Sequence, residues 1–169
     1  MTAAALRAAA KRVLELSRAR GLKIATAESC TGGLVAGALT EIAGSSDVVD
    51  RGFITYSNEA KQQMLGVPAA TLKRHGAVSS QTAAAMAKGA LKNSPADIVV
   101  AITGIAGPGG GSKEKPVGLV YFAAANRDGR SVARVHRYGK IGRRRVRERS
   151  VAQALRLLQL LAEGTAKRK

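Results

Sequence analysis

The stretch 27–33 places a serine where one short apolar run ends and a second begins. The runs at 22–25 and 34–39 predict a strand and then a helix, with Ser29 in the turn between them. The first N–H groups of a helix have no partner within it, and that end is partly positive, so it favours an oxyanion or a phosphate. Ser29 is therefore a candidate nucleophile. The alternative is that Ser29 or Thr31 only caps the helix.

A serine hydroxyl needs a base to take its proton, and Lys61 is the base that the sequence favours. If Asn58 caps the next helix, Lys61 is its third residue, where the helix dipole disfavours an ammonium group. Partial burial would lower the pKa of Lys61 further. Tyr56 lies at a predicted strand end and could bridge Lys61 and Ser29. The alternatives are a solvated surface lysine and a tyrosine at a sheet edge or in the core.

Other catalytic arrangements fit the sequence less well. Neither His75 nor His136 lies in a strand-end or loop site with a carboxylate near it, which argues against a Ser-His-Asp triad. Cys30 is a rival nucleophile, but it would point away from Ser29 if the strand geometry continued. A single cysteine cannot form an internal disulfide, and with two histidines it makes no zinc-type cluster. We therefore predict no metal and no cofactor.

A glycine-rich loop at 103–112 follows the strongest strand prediction, 97–102. Thr103 and the N–H groups of 104–107 could surround a phosphate or an oxyanion. The spacing of the glycines is not that of a Walker A motif, which argues against an ATPase. A flexible loop that binds nothing is the alternative.

Five arginines crowd the first turns of the last predicted helix. Cations at that end oppose the helix dipole by ~0.3–1 kcal/mol each. This cost suggests a task for at least one of them, such as binding a substrate phosphate, while most would form a solvated face. The five are Arg143, Arg144, Arg145, Arg147 and Arg149.

The order of the predicted elements indicates an α/β fold, a single three-layer α/β/α domain over 1–169 with a mixed, mostly parallel sheet. Strands are predicted at 21–27, 48–56, 97–102, 117–125 and 132–138. Helices are predicted over 1–20, from Ser29 to about 43, from 57–59 to Gly66, from Ser79 or Ser80 to about 91, and from about 142. The segment 72–76 is interpreted as a connection. The last helix carries Val146, Ser150, Ala154, Leu158 and Leu161 on one face.

The composition limits the function classes. The net charge is +17, and 14 of the 28 Lys and Arg residues lie in 127–169 beside three acids. Single-stranded nucleic-acid binders combine basic residues with stacking aromatics, and this segment has only Tyr138, which argues against nucleic acid as a partner. No apolar run reaches the length of a membrane span, and no signal peptide is evident, so we expect a cytoplasmic protein without a membrane partner.

Four motifs together resemble the CinA C-terminal domain family, whose members are nicotinamide-nucleotide amidases. They occur in order and span nearly the whole chain, from about residue 5 to 162. The motifs are Thr26-Ala27-Glu28-Ser29-Cys30-Thr31-Gly32-Gly33, Gly52-Phe53-Ile54-Thr55-Tyr56-Ser57-Asn58-Glu59-Ala60-Lys61, His75-Gly76-Ala77-Val78-Ser79, and Thr103-Gly104-Ile105-Ala106-Gly107-Pro108 continuing to Lys115-Pro116-Val117-Gly118. The family's usual Gly-Asp-Arg before the last helix is replaced by Ile141-Gly142-Arg143.

The resemblance implies hydrolysis of the carboxamide of nicotinamide mononucleotide to nicotinic acid mononucleotide and ammonia. It implies Ser29 as the nucleophile, Lys61 as the base and Tyr56 as their hydrogen-bonding neighbour, with a small-molecule nucleotide as the partner. The predicted substrate-binding residues are Glu28, Thr31, Gly32, Gly33, Thr103, Gly104, Gly107 and Arg143.

Two other functions stay open at this point. One is a non-catalytic nucleotide-binding module that works in competence or DNA-damage responses. The other is an amidase that acts on a different small amide. The sequence also leaves open whether the protein is a homo-oligomer and which N–H groups would form an oxyanion hole.

Overall fold

A computed structural model describes residues 2–166. Within them lie six α-helices and five β-strands. The helices are α1 (Ala3–Ala19), α2 (Leu34–Thr40), α3 (Asn58–Leu65), α4 (Ala69–His75), α5 (Ser80–Lys92) and α6 (Arg143–Gly164), and the strands are β1 (Ile24–Glu28), β2 (Val49–Ile54), β3 (Ile98–Gly104), β4 (Leu119–Asn126) and β5 (Ser131–Arg137).

The five strands form one sheet in the order β2-β1-β3-β4-β5. Strand β1 pairs in parallel with β2 and with β3, whereas β4 is antiparallel to both β3 and β5. Four strands therefore run in one direction and β4 runs against them. The predicted mixed α/β fold is confirmed. Most strands run in one direction, as predicted, but only two of the four strand pairings are parallel and the other two are antiparallel.

Two apolar clusters fill the spaces between the sheet and the helices on either side. Alternate side chains of β3 point to opposite faces of the sheet and belong to different clusters. Ile98 and Ile102 face α1, α2 and α6, whereas Val99 and Ala101 face α5. Every apolar side chain of β3 is fully buried. A strand buried on both faces explains the uninterrupted apolar run from which β3 was predicted.

Helix α6 packs its apolar face against α1 and the sheet. The five residues predicted on this face, Val146, Ser150, Ala154, Leu158 and Leu161, are all fully buried. The helical spacing in the sequence thus identified the buried side correctly.

Within residues 2–166, none of the helices combines the length and the apolar composition needed to cross a bilayer.

Three local predictions were wrong. The segment 72–76 was predicted as a connection, but residues 72–75 form the second half of α4. Burial of Leu72 on the α5 side of the sheet favours the helix, and Gly76 ends it at φ +74°. Helix α2 is shorter than predicted, since it begins at Leu34 and ends at Thr40. Ser57 rather than Asn58 caps α3, and its side chain accepts a hydrogen bond from the N–H of Ala60.

Candidate active site

Ser29 and Lys61 are in direct contact at the carboxyl end of β1. The N–H of Ser29 donates to the carbonyl of Ile102 on β3 at 3.0 Å, which fixes the serine backbone at that end of the sheet. Lys61 projects from α3, and its Nζ lies 3.0 Å from Ser29 Oγ. The structure thus brings together the two residues that were predicted as nucleophile and base.

The Lys61 side chain is only 1% exposed although it carries an ionisable amine. Its Nζ donates to the carbonyl of Thr55 at 2.8 Å and lies 3.4 Å from that of Tyr56. No carboxylate in residues 2–166 forms an ion pair with it. Burial lowers the pKa of Lys61. A neutral amine could direct its N–H groups at these carbonyls and its lone pair at the serine hydroxyl.

Glu28 occupies the N–H groups that the sequence suggested for an oxyanion. Its carboxylate accepts hydrogen bonds from the N–H groups of Gly33, Val35 and Ala36 at 3.0, 3.1 and 2.9 Å. The residue that precedes α2 is Gly33, at φ +92°, and no side chain of its own caps the helix. Ser29 and Thr31, which were the two candidates, therefore do not cap α2. Because Glu28 uses three of the N–H groups, the start of α2 has few donors left for a ligand.

A cavity of about 260 Å³ opens beside Ser29 Oγ. Seven of the eleven predicted site residues line it: Ser29, Tyr56, Lys61, Thr103, Gly104, Gly107 and Arg143. The other four, Glu28, Thr31, Gly32 and Gly33, do not. Glu28 and Thr31 are fully buried, and the two glycines turn the chain towards α2 with positive φ. These four residues shape the turn, and the cavity offers no reason to place them against a substrate.

The glycine-rich loop forms another wall of the cavity, and its first half packs tightly against the residues before and within β4. Gly104 lies so close to β4 that an added Cβ would be 2.7 Å from the carbonyl oxygen of Leu119. Gly107, at φ +82°, packs against Val117 in the same way. The Thr103 hydroxyl donates to the carbonyl of Ala77 at 2.7 Å, so the motif at 75–79 also borders the cavity, a role that was not predicted for it.

Arg143 joins two walls of the cavity at its mouth. Its guanidinium donates to the carbonyl of Gly107 and to the hydroxyl of Tyr56, both at 2.9 Å. The Tyr56 hydroxyl therefore contacts the arginine and does not bridge Lys61 and Ser29 as predicted. Only the backbone carbonyl of Tyr56 approaches Lys61, because the tyrosine ring extends outwards and is 60% exposed.

Cys30 is not placed to compete with Ser29. Its side chain is buried in the apolar cluster on the α6 side of the sheet. Burial raises the pKa of its thiol to about 12. The thiolate, which is the nucleophilic form, is therefore scarce at neutral pH. Within the part of the chain that the structure describes, no three His, Cys, Asp or Glu side chains form a group that could hold a metal ion.

Arg147 is a contact of the site that sequence reasoning missed. It was one of five arginines considered for a phosphate, whereas its Nη2 donates to the carbonyl of Thr31 at 2.9 Å. The contact joins residues 116 positions apart in the chain. No local pattern in the sequence points to such a pairing.

Comparison with known proteins agrees with the family that the motifs suggested. Residues 6–162 match the model of the CinA C-terminal domain. A relative from Escherichia coli K12, named nicotinamide-nucleotide amidohydrolase PncC, is 51% identical over 158 residues, which cover 94% of this chain and 95% of that protein. The prediction of an enzyme agrees with that name.

Other similar proteins carry names that refer to competence and damage. A Caldicellulosiruptor bescii protein described as competence-damage inducible is 61% identical over 116 residues, but the match spans 69% of this chain and only 28% of that relative. The crystal structure of the Agrobacterium tumefaciens competence/damage inducible protein CihA superposes with a TM-score of 0.91 at 57% identity, over 92% of this chain and 94% of that one. This chain belongs to the CinA C-terminal domain family.

Proposed function

We propose that this protein hydrolyses the carboxamide of nicotinamide mononucleotide to nicotinic acid mononucleotide and ammonia. The observation that carries the proposal is the 3.0 Å contact between Ser29 Oγ and a buried lysine amine, beside a cavity. The name of the E. coli relative, which matches over nearly its whole length, supports a nicotinamide nucleotide as the substrate.

In the proposed first half-reaction, Ser29 Oγ attacks the carboxamide carbon while its proton passes to Lys61 Nζ. The tetrahedral intermediate then expels ammonia, which takes that proton from Lys61. The product of this half-reaction is an ester between Ser29 and the nicotinoyl group. Burial favours the neutral lysine that the first proton transfer requires, because it lowers the pKa of Lys61.

In the second half-reaction, water attacks the ester. Lys61 takes a proton from the water, and Ser29 Oγ leaves and recovers that proton. The sum of the two steps converts one amide and one water into a carboxylic acid and ammonia.

The negative oxygen of each intermediate needs N–H donors. Because Glu28 uses those at the start of α2, we assign this role to the N–H of Cys30, which follows the nucleophile, and to N–H groups of the glycine-rich loop. Cys30, Ala106 and Gly107 all border the cavity. Arg143 at the cavity mouth is the residue that we assign to the substrate's 5′-phosphate, where it would exchange its contact with Tyr56 or Gly107 for the anion.

Ammonia release from nicotinamide mononucleotide by the purified protein tests the proposal. We expect turnover by the wild type and its loss in Ser29→Ala, with nicotinic acid mononucleotide as the second product. Binding of the nucleotide without ammonia release would contradict an enzymatic role. Ammonia release from simple amides but not from the nucleotide would contradict the substrate.

A further inference from the structure

The turn that presents Ser29 is held from outside by Arg147. Three hydrogen bonds link the parts: Arg147 Nη2 to the Thr31 carbonyl at 2.9 Å, the Gly32 N–H to the Ser29 carbonyl at 3.0 Å, and the Ser29 N–H to Ile102 on β3 at 3.0 Å. The guanidinium also lies against Gly32, where an added Cβ would be 3.5 Å from Nη2. Arg147 therefore connects α6 to the backbone beside the nucleophile.

The placement of Arg147 gives little net gain in stability. Its Nε is buried and has no hydrogen-bond partner among the described residues, and none of the ion pairs there includes Arg147. Burying an N–H without an acceptor costs about 1–3 kcal/mol, which offsets the gain from the bond to Thr31. Stability alone does not explain an arginine at this position.

Arg143 and Arg147 both line a second cavity of about 460 Å³, but they differ at the cavity beside Ser29. Arg143 lines the cavity and closes its mouth, whereas Arg147 does not line the cavity. The side chain of Arg147 ends at the outer side of the turn, on the carbonyl of a residue that is itself fully buried. Arg147 therefore does not contact a group bound beside Ser29 Oγ, and an effect of Arg147 on the bond-breaking step would act through the turn.

We propose that Arg147 is a positioning residue: by holding the Thr31 carbonyl, it keeps Ser29 Oγ within hydrogen-bond reach of Lys61 and the Cys30 N–H directed at the cavity. The proposal rests on the amidase function proposed above. A misplacement of about 1 Å can reduce a rate roughly 10²-fold, so a single backbone contact is enough for a large effect.

The test compares Arg147→Met with Arg156→Met, which changes an exposed arginine on the same helix. With nicotinamide mononucleotide, we expect Arg147→Met to lower kcat by at least about tenfold and to leave KM within about twofold, the pattern of an interaction that serves the reacting geometry. The temperature of unfolding should change little, because the variant loses an unpaired N–H along with the bond to Thr31. Arg156→Met should match the wild type in all three quantities.

Two results would overturn the proposal. If both kcat and KM are unchanged, the turn keeps its conformation without Arg147. If KM rises and kcat is unchanged, Arg147 binds the substrate. Should Arg147→Met fail to fold, Arg147→Lys gives the same test, because the lysine amine ends one covalent bond short of Nη2 and so holds the Thr31 carbonyl less closely; we expect its kcat to fall as well.

A crystal structure of the variant gives a readout that does not depend on the substrate. We expect the Ser29 Oγ to Lys61 Nζ distance to exceed the limit of about 3.2 Å for a good hydrogen bond. An unmoved turn would contradict the positioning role. A wild type that releases no ammonia would contradict the proposed function, and the structure of the variant would still decide the role of Arg147.

Discussion

Lys61 Nζ lies 3.0 Å from Ser29 Oγ in a site where three backbone carbonyls surround the amine and no carboxylate of residues 2–166 pairs with it. The lysine is therefore desolvated without the compensation of an ion pair, which is why its pKa is lowered. The direction of this shift determines how activity depends on pH. The protonated amine cannot accept the serine proton, whereas the neutral amine can.

We expect kcat/KM for ammonia release to rise with pH as Lys61 loses its proton, with a midpoint below the ordinary lysine pKa of about 10.4. A pH series from about 6 to about 10 measures the midpoint. Lys61→Arg should reduce the rate by roughly 10²–10⁴-fold at every pH in the series, because a guanidinium stays protonated. Lys73→Arg, at an exposed position on α4, is the control. A rate that falls as pH rises would contradict Lys61 as the base.

Ser29→Ala should abolish turnover, since no other hydroxyl lies 3.0 Å from Lys61 Nζ in the described chain. Cys30→Ala should retain most activity, because the thiol is buried and its raised pKa keeps it protonated. Initial rates of ammonia release measure both variants, with circular dichroism to show that each is folded. The opposite pattern, an active Ser29→Ala and an inactive Cys30→Ala, would identify the cysteine as the nucleophile.

Glu28→Gln should destabilise the protein by about 1–3 kcal/mol. The carboxylate accepts three N–H bonds at the start of α2, whereas an amide must direct its own N–H₂ towards some of those donors. Glu41→Gln removes an exposed charge at the other end of α2 and should leave stability unchanged. Urea unfolding measures both free energies. Equal stabilities would show that α2 does not depend on the buried carboxylate.

Gly89→Ala should lower stability and activity together. An added Cβ at Gly89 on α5 would overlap the backbone of Leu65, so the helix that carries Lys61 would have to move. We expect a loss of about 1–3 kcal/mol or more from this overpacking. An added Cβ at Gly37, in α2, meets no atom of the described residues within 4 Å, so Gly37→Ala should instead raise the free energy of unfolding by about 0.5–1 kcal/mol. Thermal unfolding and ammonia release measure both, and a tolerated Gly89→Ala would mean that α3 and α5 separate easily.

The sequence predicted the structure correctly where a local pattern of residue types determines the strand or helix and its buried side. The apolar run of β3, the apolar stripe of α6 and the motifs that contain Ser29 and Lys61 all belong to this kind. Burial on both faces requires an uninterrupted apolar strand, and helical spacing fixes the buried side of a long helix. The family motifs then added the pairing between two residues 32 positions apart.

The roles of Glu28 and Arg147 could not be obtained in this way. Glu28 was predicted to bind the substrate, but its carboxylate folds back onto N–H groups five to eight positions later. Such a return depends on the two positive-φ glycines of the turn, Gly32 and Gly33, acting together. The position of α4 was missed for a related reason, since no side-chain cap marks its start after Pro68.

The hydrogen bond from Arg147 to Thr31 also affects when the site is completed during folding. It spans 116 positions, and the contact of Arg143 with Tyr56 spans 87, so two parts of the site come from the last helix of the described chain. Contacts of such long sequence separation form late, because closing the intervening loop must come first. We therefore expect activity only after α6 has packed against the rest of the domain and brought both arginines to the site.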